Sequence, residues 1–165
     1  MAAPSFIESI AGMCSQPMLD AISNGYRTCF DERRIQGLSP LWYDYDGLCK
    51  DIKDNVERAF VEYGVDAHVI RIELHGSRLR GMARDDSDLD AVVEYEGSAR
   101  EDHVFNLLHD PEVLGLSFDG IPVDINPIKA SETGCMADYM AKSAEYDREM
   151  LRNSISGHSS DYGTR

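Results

Sequence analysis

No run in this chain approaches the ~20 consecutive apolar residues that a membrane-crossing helix needs. The opening MAAPSFIESIAGMCSQ has neither a basic start nor an apolar stretch, so it does not read as a secretory leader. The expectation is a soluble, cytoplasmic protein. Cysteine is sparse: Cys14, Cys29, Cys49 and Cys135 form no C-x-x-C pair, and no histidine stands at finger spacing from any of them. That argues against a zinc module and a redox pair, and suits idle or buried thiols in a reducing compartment. Positive charge is short as well. Sixteen Lys and Arg stand against thirty Asp and Glu, a formal net charge of −14. Such a surface repels nucleic-acid backbone and anionic lipid. Duplex nucleic acid and membrane are therefore not the expected partners, and a basic protein is the better one. Internal repeats are absent.

What is present is a chain of 165 residues, 42% hydrophobic, long enough for one domain with an appendage. Residues 1–15 carry little pattern and read as a flexible arm, and the polar, Gly/Ser-rich 153–165 reads as a disordered tail. From Pro17 to Ile35 apolar residues recur at helical spacing, and Gly37-Leu-Ser-Pro40 breaks that run. A second helix is expected from Tyr45 to Tyr63, with Leu48, Ile52, Val56, Ala59 and Phe60 as its stripe and Gly64 beyond its end. These two helices make an N-terminal unit, 16–64.

The core unit is expected over 65–152. Ala67–Leu74 alternates as a strand, with Ile70, Ile72 and Leu74 opposed to Val69, Arg71 and Glu73. Ser77–Gly81 allows one helical turn. Leu89–Tyr95 reads as a second strand and Ala99–His109 as a helix. Gly115–Pro127 is a hairpin candidate because Asp119-Gly120 suits a tight two-residue turn. Ser131–Leu151 is the last helix. The fold class that results is α+β: a mixed sheet with flanking helices and an N-terminal helical extension.

The chemistry concentrates in HGSRLRGMARDDSDLDAVVEY, from His75 to Tyr95. Residues i and i+2 of a strand share a face, so Asp88 and Asp90 stand side by side while Leu89 points inward. Two like charges so close are costly without a cation between them. Such carboxylates suit Mg²⁺, which completes its shell with waters and substrate phosphates. A calcium loop is excluded, since Ala91 and Gly97 stand where its turn glycine and bidentate glutamate belong. Gly76-Ser77, at the end of the first strand, offers backbone N–H groups and a hydroxyl to an anion, and glycine lets a phosphate approach closely. Asp124 lies within the apolar IPVDINPI, on the opposite side from Val123 and Ile125. A charge there asks for a metal or partner, unless the strand is an edge strand with Asp124 in water. Arg78, Arg80 and Arg84 lie between the phosphate loop and the carboxylates. Arg78 or Arg84 is the expected phosphate contact; pairing with Asp85, Asp86 or nearby glutamates is the alternative. His75 reads as a packed strand-end residue. Trp42, Tyr43 and Tyr45 are expected to staple the N-terminal helices to the core, with lining of an acceptor pocket as the alternative.

Gly76-Ser77, ten residues, Asp88-x-Asp90, then a strand with Asp124: this pattern resembles the nucleotidyltransferase superfamily of the DNA polymerase β type, over about residues 66–130. The spacing is similar to that of its minimal, single-domain branch, which includes antitoxins paired with HEPN-type toxins. The resemblance implies that Gly76 and Ser77 hold the triphosphate, that Asp88 and Asp90 bind the metals, and that Asp124 completes a second metal site and helps deprotonate the attacking hydroxyl. It implies two Mg²⁺ ions, with Mn²⁺ as a substitute, and ATP as the nucleoside triphosphate. The expected reaction is transfer of a nucleoside monophosphate to a hydroxyl with release of pyrophosphate. A protein tyrosine or serine is the expected acceptor, with an antibiotic hydroxyl next. Two other readings stay open: an antitoxin-like or regulatory module docking a basic partner with catalysis weak or lost, and a domain excised from a longer chain.

Overall fold

The structure is a computed structural model that describes residues 34–39 and 41–157. The arm 1–15 and nearly all of the helix expected over Pro17–Ile35 lie outside the described residues. The first described helix, α1 (Tyr45–Glu62), starts where Asp44, in extended backbone, accepts a hydrogen bond from the Gly47 N–H. Its buried stripe is the expected one, Leu48, Ile52, Val56, Ala59 and Phe60, with Tyr45 added. It ends at Gly64, whose φ of +64° suits glycine. There Val65 N–H reaches Phe60 O at 2.8 Å and Gly64 N–H reaches Val61 O at 3.3 Å, a Schellman closure.

Four strands follow: β1 (His68–His75), β2 (Leu89–Glu96), β3 (Ser117–Phe118) and β4 (Ile121–Ile128). Between them lie α2 (Ser77–Arg80), α3 (Glu101–Leu108) and α4 (Pro111–Leu114), and α5 (Met136–Gly157) comes last. The sheet order is β1-β2-β4-β3, with β2 antiparallel to β1 and parallel to β4. β3 and β4 form the expected hairpin, turning at Asp119 (φ +48°) and Gly120 (φ +78°). Two successive positive φ values are what a two-residue hairpin demands. The architecture is the expected α+β one, a mixed sheet with flanking helices.

Two local expectations are corrected. In β1 the alternation slips: a register shift between Val69 and Arg71 turns Val69 into the core and leaves Ile70 half-exposed. An extra residue in one strand reverses every side chain beyond it, which period-two reading cannot see. The last helix begins at Met136, not Ser131, because Glu101 holds the preceding turn. Its carboxylate accepts from Lys129 N–H at 2.6 Å, Thr133 N–H at 3.0 Å and the Thr133 hydroxyl at 2.6 Å. The helix also runs past Leu151 to Gly157, into the stretch expected as tail.

The main core lies between one sheet face and α1 and α3, where Ile52, Val56, Leu89, Ala91, Val93 and Val104 are buried to 0% exposure. Leu89 is the anchor that matters for function. Burying such a side chain stabilises by about 1.5–3 kcal/mol, and it fixes the strand position between Asp88 and Asp90. Among the described residues the opposite face is covered at one end, where Val92 and Ile128 pack under Met136, Tyr139 and Met140 of α5. The uncovered end of that face carries the polar residues. Tyr43 and Tyr45 do staple the entry to α1. Tyr43 donates to Asp119 and meets Phe118 edge-on, while Tyr45 donates to Glu73 and accepts from Leu74 N–H. Trp42 does not join them; it is 82% exposed.

Candidate active site

The register of the sheet assembles the site. His75 is opposite Asp90 across β1 and β2, and Asp90 is opposite Asp124 across β2 and β4. The three side chains form a row on the polar face, each strand about 4.8 Å from the next. Asp88 stands one step before β2, exposed, on the same face as Asp90. The register thus brings Asp90 and Asp124 side by side on adjacent strands, and Asp88 precedes Asp90 by two residues.

Gly76 closes the row from the β1 side. Its φ of +83° and ψ of −167° put it where side chains are not tolerated. A Cβ there would fall 1.9 Å from Asp90 Oδ2. The phosphate-loop candidate and the central carboxylate are therefore in direct contact. Ser77 opens α2, a single turn that ends at Gly81 in the left-handed region.

Asp90 carries the electrostatic tension of the site. Burial pushes its carboxyl above the usual carboxylate range; the His75 charge works against that, and the charges of Asp124 and Asp88 add to it. Burial likewise holds the His75 ring below its ordinary value. It packs edge-on to Tyr139, centroids 6.0 Å apart. Among the described residues nothing donates a hydrogen bond to Asp90.

Asp124 differs. Its side chain is 49% exposed, and Oδ1 lies 3.0 Å from His109 Nε2. The imidazole is held on its other side by Phe105 O, 2.8 Å from Nδ1, and stacks on the Phe105 ring at 3.8 Å. His109 was not singled out by sequence reading. Its place follows from α3 ending over β4, a tertiary fact with no local signature. Asn126, two residues on, donates to the Tyr139 hydroxyl at 2.8 Å.

The three arginines have separate fates. Arg78 is only 5% exposed. Its guanidinium donates to Ser87 O at 2.9 Å through Nε and to Gln36 O at 2.8 Å. This corrects the phosphate contact expected for it: those donors close the fold around α2. Gln36 completes the clamp, accepting from Ala83 N–H at 2.8 Å and donating to Ala83 O at 3.2 Å. Arg80 pairs with Asp147 of α5 at 2.6 Å. Arg84 is 89% exposed, with Asp86 4.0 Å away, and remains available to a ligand.

The donor set fits a metal of a particular kind. Among the described residues no three His, Cys, Asp or Glu side chains converge to hold an ion by themselves. Mg²⁺ does not need them to; it is bound by one or two carboxylates plus substrate phosphates. A half-buried carboxylate with no donor, two like-charged neighbours and a glycine loop against it suits an ion that arrives with phosphate.

Comparison with curated proteins found no match, and comparison with solved structures found none. The family model described as nucleotidyltransferase domain matches residues 49–150, more than half of the chain, and spans most of α1, the whole sheet and most of α5. The matched region contains Gly76-Ser77 and all three aspartates, and with the mixed sheet that presents them it shows that this chain belongs to the nucleotidyltransferase domain family.

Proposed function

We propose that the protein transfers a nucleoside monophosphate, AMP from ATP, to an acceptor hydroxyl and releases pyrophosphate. The observation that carries this reading is the pairing of Asp90 with Asp124 across parallel strands, with Gly76 against the Asp90 carboxylate. In this reading Asp88, Asp90 and Asp124 hold Mg²⁺, which supplies charge neutralisation at the transferred phosphoryl group. The chain's own residues do the rest. Gly76 and Ser77 seat the triphosphate, and Arg84 closes on it from the exposed loop. Asp124, with one oxygen held by His109, keeps the other toward the reacting centre and takes the acceptor's proton. Phosphoryl-type transfer asks mainly for positioning and charge stabilisation, which these groups provide.

The acceptor in this reading is a protein side chain. The net charge of −14 supports it, since a surface of that sign attracts a basic protein and repels a nucleic-acid end. The same charge supports the second reading, a regulatory module that docks a basic partner with little catalysis. Incubation with ATP, Mg²⁺ and cell lysate, followed by a mass-spectrometric search for AMP adducts, separates the two. Adducts that vanish with Asp90→Asn support transfer. Their absence, with partner capture retained, supports the docking module.

A further inference from the structure

A groove of about 340 Å³ lies at the outer edge of β4, between α3, residues 126–127 and the turn that Glu101 holds. β3 pairs only with Ile121 and Pro122, so alongside Asn126 the edge of β4 has no strand partner among the described residues. Pro127 lacks an N–H, which makes this edge a poor template for strand addition. The groove suits a side chain, not a strand. Its walls offer the Phe105 ring, 44% exposed, and the carboxamides of Asn106 and Asn126.

Its position relative to the aspartates matters most. Asn126 is one strand repeat, about 7 Å, from Asp124 on the same face. Phe105 stacks on His109, and His109 bonds Asp124. Across the sheet the order is Gly76-Ser77, Asp90, Asp124, groove. In an in-line displacement the attacking oxygen and the leaving pyrophosphate lie on opposite sides of the α-phosphorus. If the triphosphate lies at Gly76-Ser77, the attacker arrives from the β4 side. The volume is near the lower limit for ligand sites and ample for one aromatic ring. Glu101 and Asp102 line the groove and, among the described residues, no lysine or arginine does, which disfavours a phosphate-bearing acceptor.

We infer that this groove is the acceptor subsite, and that it takes the phenol of a tyrosine in a basic peptide segment. The inference rests on the nucleotidyl-transfer reading above. The tyrosine oxygen forms a bond to the α-phosphorus as the bond from that phosphorus to the α–β bridging oxygen breaks. Pyrophosphate leaves with the electron pair, and the phenolic proton passes to the Asp124 oxygen that His109 leaves free, then to water.

The test uses the full ¹⁵N-labelled chain. Blocked Lys-Tyr-Lys, Lys-Ser-Lys and Glu-Tyr-Glu peptides and ATP·Mg²⁺ are titrated separately, followed by amide shifts. Lys-Tyr-Lys is expected to shift Phe105, Asn106 and Thr133, and ATP·Mg²⁺ to shift Gly76 and Ser77. Phe105→Ala should weaken the tyrosine peptide roughly three- to tenfold, the value of one aromatic pair, and leave ATP affinity unchanged. Shifts of Phe105 and Asn106 by ATP would overturn the inference by making the groove a base site. So would equal binding of the serine or acidic peptide, or no peptide binding while ATP still shifts Gly76 and Ser77. Loss of the ATP shifts themselves would sink the transfer reading instead.

Discussion

Burying the Asp90 carboxyl beside Asp88 and Asp124 has a cost, and that cost is measurable. Its carboxyl is raised by burial and by like charges, so the folded state holds this proton more tightly than the unfolded chain does. Stability from this group is fully present below the ordinary carboxylate range and is lost as pH rises through the raised value. At neutral pH in EDTA, Asp90→Asn should therefore melt above wild type, by roughly 2–4 °C. The gap should close as pH falls toward the carboxylate range, and thermal scans across pH check both halves. Asp124→Asn should show less of this, because His109 already partners Asp124. Gly76→Ala should go the other way. Positive φ and a blocked Cβ together cost about 1–3 kcal/mol, and chemical denaturation measures it. Residue identity was legible where a motif is local: Gly76, Ser77, Asp88, Asp90 and the apolar flanks of Asp124. Arg78 and His109 were not. The first is buried by a segment some forty residues away in sequence, near Gln36, and the second acquires meaning only when α3 docks on β4.

Elements whose ends carry their own signals came out close to expectation. Asp44 and Gly64 delimit α1, and Asp119-Gly120 delimits the hairpin. The late start of α5 was hidden because a tertiary partner, Glu101, holds the turn before it, and the bulge in β1 because period-two alternation carries no mark of an extra residue. Two links between elements make predictions. His109 ties the end of α3 to Asp124, which the proposed reading makes a metal-binding carboxylate, and removing a hydrogen-bond partner of such a group typically costs 10–100-fold. His109→Ala should lower transfer by about that factor with ATP affinity little changed, as a split of kcat from nucleotide KM would record. Arg80 and Asp147 tie α2 to α5 through a partly buried pair. Asp147→Ala should loosen α5 selectively: hydrogen exchange should quicken over residues 141–150 while β2 and β4 stay protected.

At the scale of the molecule, charge decides how nucleotide can bind. A chain with net charge −14 whose site face carries Asp88, Asp90 and Asp124 meets a polyanion with repulsion. Arg78 is occupied inside the fold and Arg80 is paired, which leaves Arg84 as the arginine of the three open to a phosphate. On the proposed reading a cation therefore accompanies the triphosphate. Calorimetry of ATP binding with Mg²⁺ and in EDTA, on wild type and Asp90→Asn, tests this most directly. The account predicts binding to wild type that strengthens on the order of tenfold or more with Mg²⁺, and loses that enhancement in Asp90→Asn. Equal heats with and without Mg²⁺, or an enhancement that survives Asp90→Asn, would contradict it.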